Sequence, residues 1–352
     1  MKILFLANWK IEYLDKNSDA IQPANKVVNG EKFWFFKSWP QASKIDVLDF
    51  STIYGLNTIE RSVTKVHIIQ GLKAFFRQNK YDLIISHGAP SGLVLSLLNV
   101  LLGKNKPPHI LIDVGCFNGG RNNEFETGLI KFTFKNLAKL IYHAKIQKKY
   151  YEEHFSHQDS FYVPFGVDLD YFYPLDEPVE DYVITFGYRK RDYPTLLKAW
   201  NSISTGTKLK IVGLSNEQMQ DIKKIAPNSN VDLVSVTPTQ DLKKMIARSR
   251  FVIVPLPYFK YAYGQKTFLE PMAMKKAVIV TKTPSSEDYV TDLETAVLVK
   301  PYDDADMKKK IELLLSDEGL VEKISNNALR SVQESFTVKQ MAERIYEIAN
   351  HQ

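Results

Sequence analysis

The residues of this chain that are best suited to chemistry follow an apolar run and a glycine. Gly264 permits a tight turn, and a helical pattern begins directly after it with Gln265, Lys266 and Thr267. The first backbone N–H groups of a helix and the positive end of its dipole form a binding place for phosphate. Glu270 lies one turn further on, where its carboxylate could accept hydrogen bonds from sugar hydroxyls or simply face solvent. The segment predicts a site for a nucleoside diphosphate whose ribose reaches Glu270.

A second loop with the chemistry of an anion site begins at Gly187, directly after an apolar run. Glycine lets the chain turn with its backbone close to a ligand. Three cations in succession follow this glycine: Arg189, Lys190 and Arg191. Cations packed against the start of the next helix would face an anion, whereas the alternative is a run of solvated charges. Because the Glu270 segment lies in the same half of the chain, the anion site is favoured.

Short apolar runs alternate with helical patterns along the whole chain, which predicts α/β domains with parallel sheets covered on both faces. In the first half, we predict strands at 2–7, 33–36, 45–50, 83–86, 110–114 and 140–142, and helices at 59–79 and 91–102. In the second half, we predict strands at 182–187, 208–212, 231–236, 251–256, 277–281 and 295–299. Helices are predicted there at 193–200, 239–249, 307–314, 320–336 and 338–349.

The length and composition of the chain limit the classes of protein to which it can belong. Its 352 residues suffice for two domains, and 44% hydrophobic with 24% charged residues is typical of soluble globular proteins. The single cysteine, Cys116, excludes an internal disulfide and favours a cytoplasmic protein. The net charge of +6 is compatible with phosphorylated substrates or an anionic membrane. No zinc-ligand spacing or RNA-binding pattern accompanies it, so nucleic acid is not expected as a partner.

The segment from Tyr263 to Ala273 resembles the donor site of retaining, nucleotide-sugar-dependent glycosyltransferases of the GT-B type, in particular family 4. Many members carry two glutamates eight positions apart; the second matches Glu270, whereas Ala262 occupies the position of the first. A branch of these enzymes has Tyr/Phe-x-Gly-Gln-x-Thr-x-Leu-Glu-x-Met-Ala instead, and this chain fits that version from Gly264 to Ala273, with the aromatic Tyr263 directly before the glycine. The resemblance implies two Rossmann-like domains facing each other across a cleft, with a C-terminal helix that crosses back to the first domain.

The resemblance also implies that one domain binds the acceptor and the other binds the donor. Residues 1–166, with 336–352 as the crossing helix, would bind the acceptor, and residues 167–335 would bind the donor. Arg191, with Arg189 or Lys190, would hold the diphosphate and stabilise charge on the leaving nucleotide. Gly213 resembles a strand-end glycine near the base. The implied donor-binding set is completed by Gly187, Tyr263, Gly264, Gln265, Lys266, Thr267 and Glu270.

Two residues of the first half are candidates for catalysis besides Arg191. Many members of the family place a histidine after a first-domain strand, facing the donor sugar, and Asp113 stands at that position here. Asp113 could bind the donor sugar, orient the acceptor hydroxyl, or cap the next loop. His87 follows another strand and is the competing candidate, with a structural role as its alternative. The resemblance implies no metal and no cofactor, and we interpret Asp168-Leu169-Asp170, a metal motif of another glycosyltransferase fold, as structural here.

A group of lysines in the first half suggests contact with a membrane. If residues 128–140 form a helix, Lys131, Lys135 and Lys139 make one basic stripe beside an apolar face. Such a face could lie on anionic lipid or simply be solvated.

The function predicted from these features is transfer of a hexose from a nucleotide diphosphate sugar, with UDP as the favoured carrier, to a hydroxyl acceptor. Retention of configuration is expected. The acceptor could be lipid-linked, a polysaccharide or another glycan. A cytoplasmic location is expected, with contact to the inner face of the membrane as an option. The alternatives are a non-catalytic protein that binds nucleotide sugars and a sugar-nucleotide epimerase.

Overall fold

The computed structural model describes residues 1–14, 26–28, 34–39, 43–50, 60, 66–103, 106–114, 124–155, 159–187, 190–225 and 230–350. These residues form two compact units. The first comprises Met1–Pro164, Lys260–Tyr263 and Val338–Gln352, and the second comprises Phe165–Phe259 and Gly264–Thr337.

The described part of the first unit is built on a six-stranded parallel sheet. Its strands, with a separate pair β2 and β3, are β1 (Lys2–Leu6), β2 (Glu12–Leu14), β3 (Lys26–Val28), β4 (Lys44–Leu48), β5 (Leu83–His87), β6 (His109–Asp113), β7 (Lys139–Tyr142) and β8 (Asp159–Tyr162). The order in the large sheet is β4-β1-β5-β6-β7-β8. Its helices are α1 (Ile68–Arg77), α2 (Ala89–Leu102), α3 (Glu124–Phe134) and α4 (Ile146–His154).

The second unit repeats this architecture with another six-stranded parallel sheet. Its strands are β9 (Tyr182–Phe186), β10 (Lys208–Leu214), β11 (Val231–Ser235), β12 (Val252–Val254), β13 (Val278–Thr281) and β14 (Val297–Val299), in the order β11-β10-β9-β12-β13-β14. Its helices are α5 (Tyr193–Asn201), α6 (Asn216–Ile225), α7 (Thr239–Arg248), α8 (Gln265–Ala273), α9 (Pro284–Glu287), α10 (Asp304–Ser316) and α11 (Glu318–Ser335). Both sheets reverse their winding beside the first strand, as Rossmann-like sheets do.

The last helix, α12 (Val338–Asn350), packs with the first unit, as the sequence predicts for a crossing helix. The rings of Trp39 and Tyr346 meet edge to face with centroids 5.2 Å apart. Lys139 Nζ donates to the Ile348 carbonyl at 2.6 Å. These contacts attach the end of the chain to the strands of the first unit.

Two predictions for the first half are wrong. The apolar run predicted as a strand at 33–36 forms a short 3-10 helix, Trp34–Ser38, because a fully buried apolar run fits either structure. The helix predicted at 128–140 ends at Phe134, and Lys139 begins β7. Lys131, Lys135 and Lys139 therefore do not share a helical face, which removes the basis for the basic stripe. Of the beginning of the helix predicted at 59–79, residues 59 and 61–65 lie outside the described residues, as does the only cysteine, Cys116.

A reciprocal pair of buried amides joins the ends of α1 and α2. Gln78 Nε2 donates to Asn99 Oδ1 at 2.8 Å, and Asn99 Nδ2 donates to Gln78 Oε1 at 2.9 Å. Both side chains are buried. A buried amide that loses its partner keeps its desolvation cost without the compensating bond.

We therefore expect Gln78→Leu to lower the free energy of unfolding by about 1–3 kcal/mol, because the Asn99 amide loses its partner. The double variant Gln78→Leu/Asn99→Leu should cost less than the sum of the two single variants. Urea unfolding followed by circular dichroism measures both. The neighbouring exposed Asn79→Ala is the control, with a change within about 0.5 kcal/mol. Additive losses would show that the two amides act independently.

Candidate functional site

Two glycines with left-handed backbone lie side by side where β9 and β10 end. Gly187 has φ +116° and Gly213 has φ +92°. The Gly187 amide donates to the Val212 carbonyl at 3.1 Å. A Cβ built on Gly213 would lie 3.6 Å from the Gly187 nitrogen. The structure thus brings these two predicted site residues together at the carboxyl edge of the second sheet, where ligands of such sheets bind.

Three hydrogen bonds position the guanidinium of Arg191, and one of them reaches the first turn of α8. Its Nε donates to the Phe186 carbonyl at 3.2 Å, its Nη1 to the Lys190 carbonyl at 3.4 Å, and its Nη2 to Thr267 Oγ1 at 2.8 Å. All three acceptors are uncharged, so the positive charge of the guanidinium is not neutralised by these bonds. A Cβ on Gly187 would lie 2.8 Å from the guanidinium carbon, so only glycine leaves room for this arrangement.

Of the other two cations of this loop, only Lys190 lies in the described part of the chain. Its backbone is left-handed, with φ +45°, and its ammonium lies 4.9 Å from the centroid of the Phe259 ring. Arg189 lies outside the described residues. The helix that follows begins with the Asp192 carboxylate accepting from the Thr195 amide at 3.3 Å, which caps α5.

The turn before α8 requires glycine. Gly264 has φ +87°, and a Cβ there would lie 2.6 Å from Leu256 Cδ1. It stands at the N-cap position without any side-chain cap, and its carbonyl accepts from the Thr267 amide at 2.8 Å. Gln265 is buried, and its side-chain Nε2 donates to Ser285 Oγ, which fixes the first turn of the helix. The first N–H groups of a helix lack intrahelical acceptors, so this turn can receive an anion.

Glu270 is a buried carboxylate on the same helix as Thr267, one turn away. Burial raises the pKa of Glu270 to about 7, although the nearby Lys266 ammonium acts in the opposite direction. Lys266 Nζ lies 3.6 Å from Glu270 Oε1 and its side chain is mostly exposed. Tyr171 also lies nearby, since the charge of Glu270 contributes, after burial, to the raised pKa of that phenol. The exposed-carboxylate alternative for Glu270 is therefore wrong.

Asp113 lies in the first unit, at the end of β6, inside a buried network. Its Oδ2 accepts from Gln147 Nε2 at 3.0 Å and from the Tyr151 hydroxyl. Gln147 Oε1 in turn accepts from the backbone amides of Ala144, at 3.1 Å, and Ala262, at 3.3 Å. Burial, and after it the charge of Asp113, raises the pKa of Tyr151 well above its usual value. Asp113 thus reaches, through Gln147, the segment that leads into Tyr263.

The partners of Asp113 were missed by the sequence reasoning, although a signal was present. Gln147 and Tyr151 are four residues apart, which places them on one face of α4. The other side chains of this helix include two lysines and two glutamates, so the uncharged pair Gln147 and Tyr151 indicates its inward face.

His87, the other candidate in the first unit, is a buried and neutral imidazole. Burial, with a smaller contribution from the neighbouring His143, lowers the pKa of His87 to about 3. Its Nδ1 lies 3.2 Å from Asn8 Oδ1, and the rings of Trp9 and Trp34 meet it edge to face with centroids 5.0 and 4.9 Å away. Its Nε2 has no hydrogen-bond partner among the described residues.

Asp168 closes a turn at the beginning of the second unit. Its Oδ1 accepts from the Asp170 amide at 3.1 Å, and its carbonyl accepts from the amides of Tyr171 and Phe172. In the ranges that the structure describes, no group of three or more His, Cys, Asp or Glu side chains could hold a metal ion. Likewise, no helix in those ranges is long and apolar enough to cross a membrane.

The architecture of the chain matches solved glycosyltransferases along its whole length. Sucrose-phosphate synthase from Thermosynechococcus elongatus aligns with a TM-score of 0.74 at 15% identity, over 99% of this chain and 98% of that one. HepE of Anabaena, solved with UDP and glucose, aligns with a TM-score of 0.72 at 14% identity, over 100% of both chains. TarM of S. aureus, solved with fondaparinux, alpha-GlcNAc-glycerol and UDP, aligns with a TM-score of 0.65 at 15% identity, over 80% of this chain and 59% of that one. The fold is the GT-B fold, with its two Rossmann-like domains.

One family model matches part of the second unit. Residues 179–331 match the model described as Glycosyl transferases group 1. A search of curated proteins finds no match. The matched residues include Gly187, Gly213, Gly264, Arg191 and Glu270.

The left-handed turn at Gly264 gives a stability prediction. We expect Gly264→Ala to lower the free energy of unfolding by about 1–2 kcal/mol or more, because a left-handed alanine is strained and its Cβ meets Leu256. Thermal and urea unfolding measure the change. Gly206→Ala is the control, since a Cβ there meets nothing within 4 Å. An equal effect of both substitutions would contradict the importance of the turn.

The raised pKa of Glu270 gives a pH-dependent prediction. Between the reference pKa of 4.5 and about 7, the folded state holds a proton that the unfolded state has lost, so the contribution of Glu270 to stability falls as pH rises through this window. We expect Glu270→Gln to raise the free energy of unfolding at pH 8 by up to about 3 kcal/mol, with almost no gain at pH 5. Urea midpoints at both pH values test this. Glu312→Gln, a partly exposed control, should change little at either pH. A gain that is equal at pH 5 and pH 8 would contradict the burial cost of the carboxylate.

Proposed function

We propose that this protein is a glycosyltransferase that transfers a hexose from a UDP-sugar to a hydroxyl acceptor, with retention of configuration and without a metal ion. The observation that carries the proposal is the attachment of Arg191 to Thr267 in the first turn of α8, with Glu270 buried on the same helix. This arrangement combines a cation, a helix N-terminus and a carboxylate.

The diphosphate of the donor fits between the turn at Gly187 and the turn at Gly264. Three hydrogen bonds position the guanidinium of Arg191, and their acceptors, two carbonyls and a hydroxyl, carry no charge. The helix N-terminus after Gly264 adds backbone donors and a positive dipole end. When the bond between the sugar and the diphosphate breaks, negative charge develops on the leaving phosphate. Fixed donors aimed at that charge stabilise the transition state.

The ribose fits further along α8. Thr267 and Glu270 are three residues apart, so they lie on one face with a rise of about 4.5 Å between them. Hydrogen bonds from two ribose hydroxyls would offset the burial of the carboxylate, which the Lys266 ammonium at 3.6 Å offsets only in part. Glu270 is thus assigned to the ribose, and Gly213 to the neighbourhood of the base.

UDP is proposed as the carrier on chemical and comparative grounds. The site has the parts that a nucleoside diphosphate needs, and HepE of Anabaena and TarM of S. aureus are both solved with UDP. For the acceptor we propose a hydroxyl of a glycan, either lipid-linked or part of a polysaccharide. We also propose that the enzyme works in the cytoplasm.

The catalytic roles of Asp113 and His87 stay predictions. The network of Asp113 with Gln147 and Tyr151 favours a positioning role for this carboxylate. His87 is neutral, so it could accept a hydrogen bond from a hydroxyl at Nε2 but carries no charge at neutral pH. A non-catalytic protein that binds nucleotide sugars is the second candidate, favoured by the absence of an exposed carboxylate at position 113.

Calorimetric titration with UDP and with UDP-sugars tests the donor site. We expect Arg191→Ala to weaken UDP binding about 10- to 100-fold, because it removes charge-assisted hydrogen bonds to phosphate. Glu270→Ala should weaken binding through the loss of the ribose contacts, with an effect of about tenfold. Arg330→Ala and Glu312→Ala, which change exposed or partly exposed side chains, are the matched controls.

The outcomes separate the proposals. Unchanged affinity in both site variants would overturn the assignment of the site. Tight UDP-sugar binding without transfer to any acceptor and without hydrolysis would favour the non-catalytic alternative. A new sugar epimer, detected by NMR in the absence of an acceptor, would identify an epimerase.

A further inference from the structure

Helix α1 of the first unit exposes three of its large apolar side chains, whereas Phe75 packs against the core. Its buried positions are held by Gln70, Gly71 and Ala74. Ile68, Leu72 and Phe76 lie on the exposed side, and the side chain of Phe76 is 79% exposed. An amphipathic helix of a globular protein normally directs such side chains into the core. The inward face of α1 is instead narrow, because Gly71 approaches α2 so closely that a Cβ would lie 2.5 Å from Val94 Cγ1.

Helix α2 continues the exposed apolar surface. Its buried positions include Gly92, Ser96 and Asn99, whereas Leu101 and Leu102 are 60% and 65% exposed. The amide pair between Gln78 and Asn99 places the end of α1 beside the end of α2. We call the surface formed by Ile68, Leu72, Phe76, Leu101 and Leu102 the α1–α2 face.

Cations accompany the α1–α2 face, and neither helix contains a carboxylate of its own, although Glu60 Oε1 accepts from the Ile69 amide at 2.8 Å at the start of α1. Lys73 and Arg77 lie on α1, Lys80 lies in the short helix that follows it, and α2 carries no charged residue. Lys106 Nζ donates to the Asn99 carbonyl at 3.0 Å, near the end of α2. The next carboxylate along the chain, Asp82, accepts from the Lys2 backbone amide at 2.7 Å.

The neighbouring helix α3 adds further exposed apolar side chains, although its first turn, unlike α1 and α2, contains the glutamates Glu124 and Glu126. Ser96 Oγ of α2 donates to the Thr133 carbonyl at 2.5 Å, so the two helices lie side by side. Leu129 and Phe132 of α3 are exposed, and the ammonium of Lys135 lies 5.7 Å from the centroid of the Phe132 ring. Exposed apolar side chains and cations therefore occur together here as well.

We propose that the α1–α2 face docks on an anionic lipid surface. A monolayer of anionic lipid offers an apolar layer for Phe76, Leu101 and Leu102, and negative headgroups for Arg77 and Lys80. A second copy of this chain on the same face would bring two sets of cations together without carboxylates from α1 or α2 to compensate them. The charge pattern therefore favours lipid over a homodimer. In this proposal, α1 and α2 lie on the membrane surface without crossing it and stay folded as part of the first unit.

The proposal does not depend on the proposed transferase activity. If the protein both docks on lipid and transfers a sugar, docking would bring it to the surface that carries a lipid-linked acceptor. That consequence rests on the proposed function.

Flotation of the whole protein with vesicles tests the docking. One set of vesicles contains phosphatidylcholine alone, and in the other phosphatidylglycerol replaces part of it. We expect binding to the anionic vesicles that weakens as salt is added, because salt screens the headgroup charge. Phe76→Ser/Leu101→Ser/Leu102→Ser should weaken that binding about tenfold or more. The matched control Val179→Ser/Val236→Ser, at exposed positions of the second unit, should leave it unchanged.

A charge variant and an assembly measurement complete the test. Arg77→Glu/Lys80→Glu should abolish the preference for anionic vesicles, whereas Lys309→Glu/Lys323→Glu in the second unit should keep most of it. The proposal is overturned if the wild-type protein binds no vesicles, or if the triple serine variant binds as well as wild type. It is also overturned if sedimentation shows that the wild-type protein is a dimer, that the triple serine variant is a monomer, and that the wild-type protein binds no vesicles. UDP binding, measured in parallel, reports separately on the donor site and should be equal in the wild-type protein and the triple variant.

Discussion

The candidate site depends on one steric constraint, the missing side chain at Gly187. The guanidinium of Arg191 occupies the space that a Cβ would need, and its three hydrogen bonds to Phe186, Lys190 and Thr267 hold it there. All three of these acceptors are uncharged, so these bonds position the cation without neutralising its charge. A preorganised charge of this kind need not reorganise when negative charge develops on a ligand. The left-handed turn at Gly264 completes the arrangement by directing the start of α8 toward the same guanidinium.

Much of the fold could be predicted from the sequence, because buried parallel strands read as short apolar runs. The six strands of the second sheet, five of the six strands of the first sheet and the three long C-terminal helices were found, with ends that differ by a few residues, whereas β8 was missed. The errors share a physical cause. Trp34, Phe35 and Phe36 are all buried, so this apolar run carries no periodicity that separates a strand from a helix. Helix α4 was missed because only Gln147 and Tyr151 mark its inward face, and both are polar enough to pass for surface residues.

The site was predictable to the extent that backbone requirements determine it. Glycines with positive φ at Gly187, Gly213 and Gly264 leave a signature in the sequence, since few other residues adopt that conformation. The surroundings of a side chain leave no such signature. That Glu270 is buried and that Asp113 is bound by Gln147 and Tyr151 are consequences of tertiary packing, which brings together residues far apart in the chain.

The network around Asp113 also bears on the residue that replaces the first glutamate of the family pattern. Ala262 is almost fully buried, and its backbone amide is two hydrogen bonds away from the Asp113 carboxylate. A glutamate grafted onto position 262 would bring a second negative charge into that enclosed region, where two like charges repel and neither is well solvated. The two carboxylates would therefore disfavour each other's charged forms, so introducing a glutamate at position 262 would call for a change at Asp113 as well.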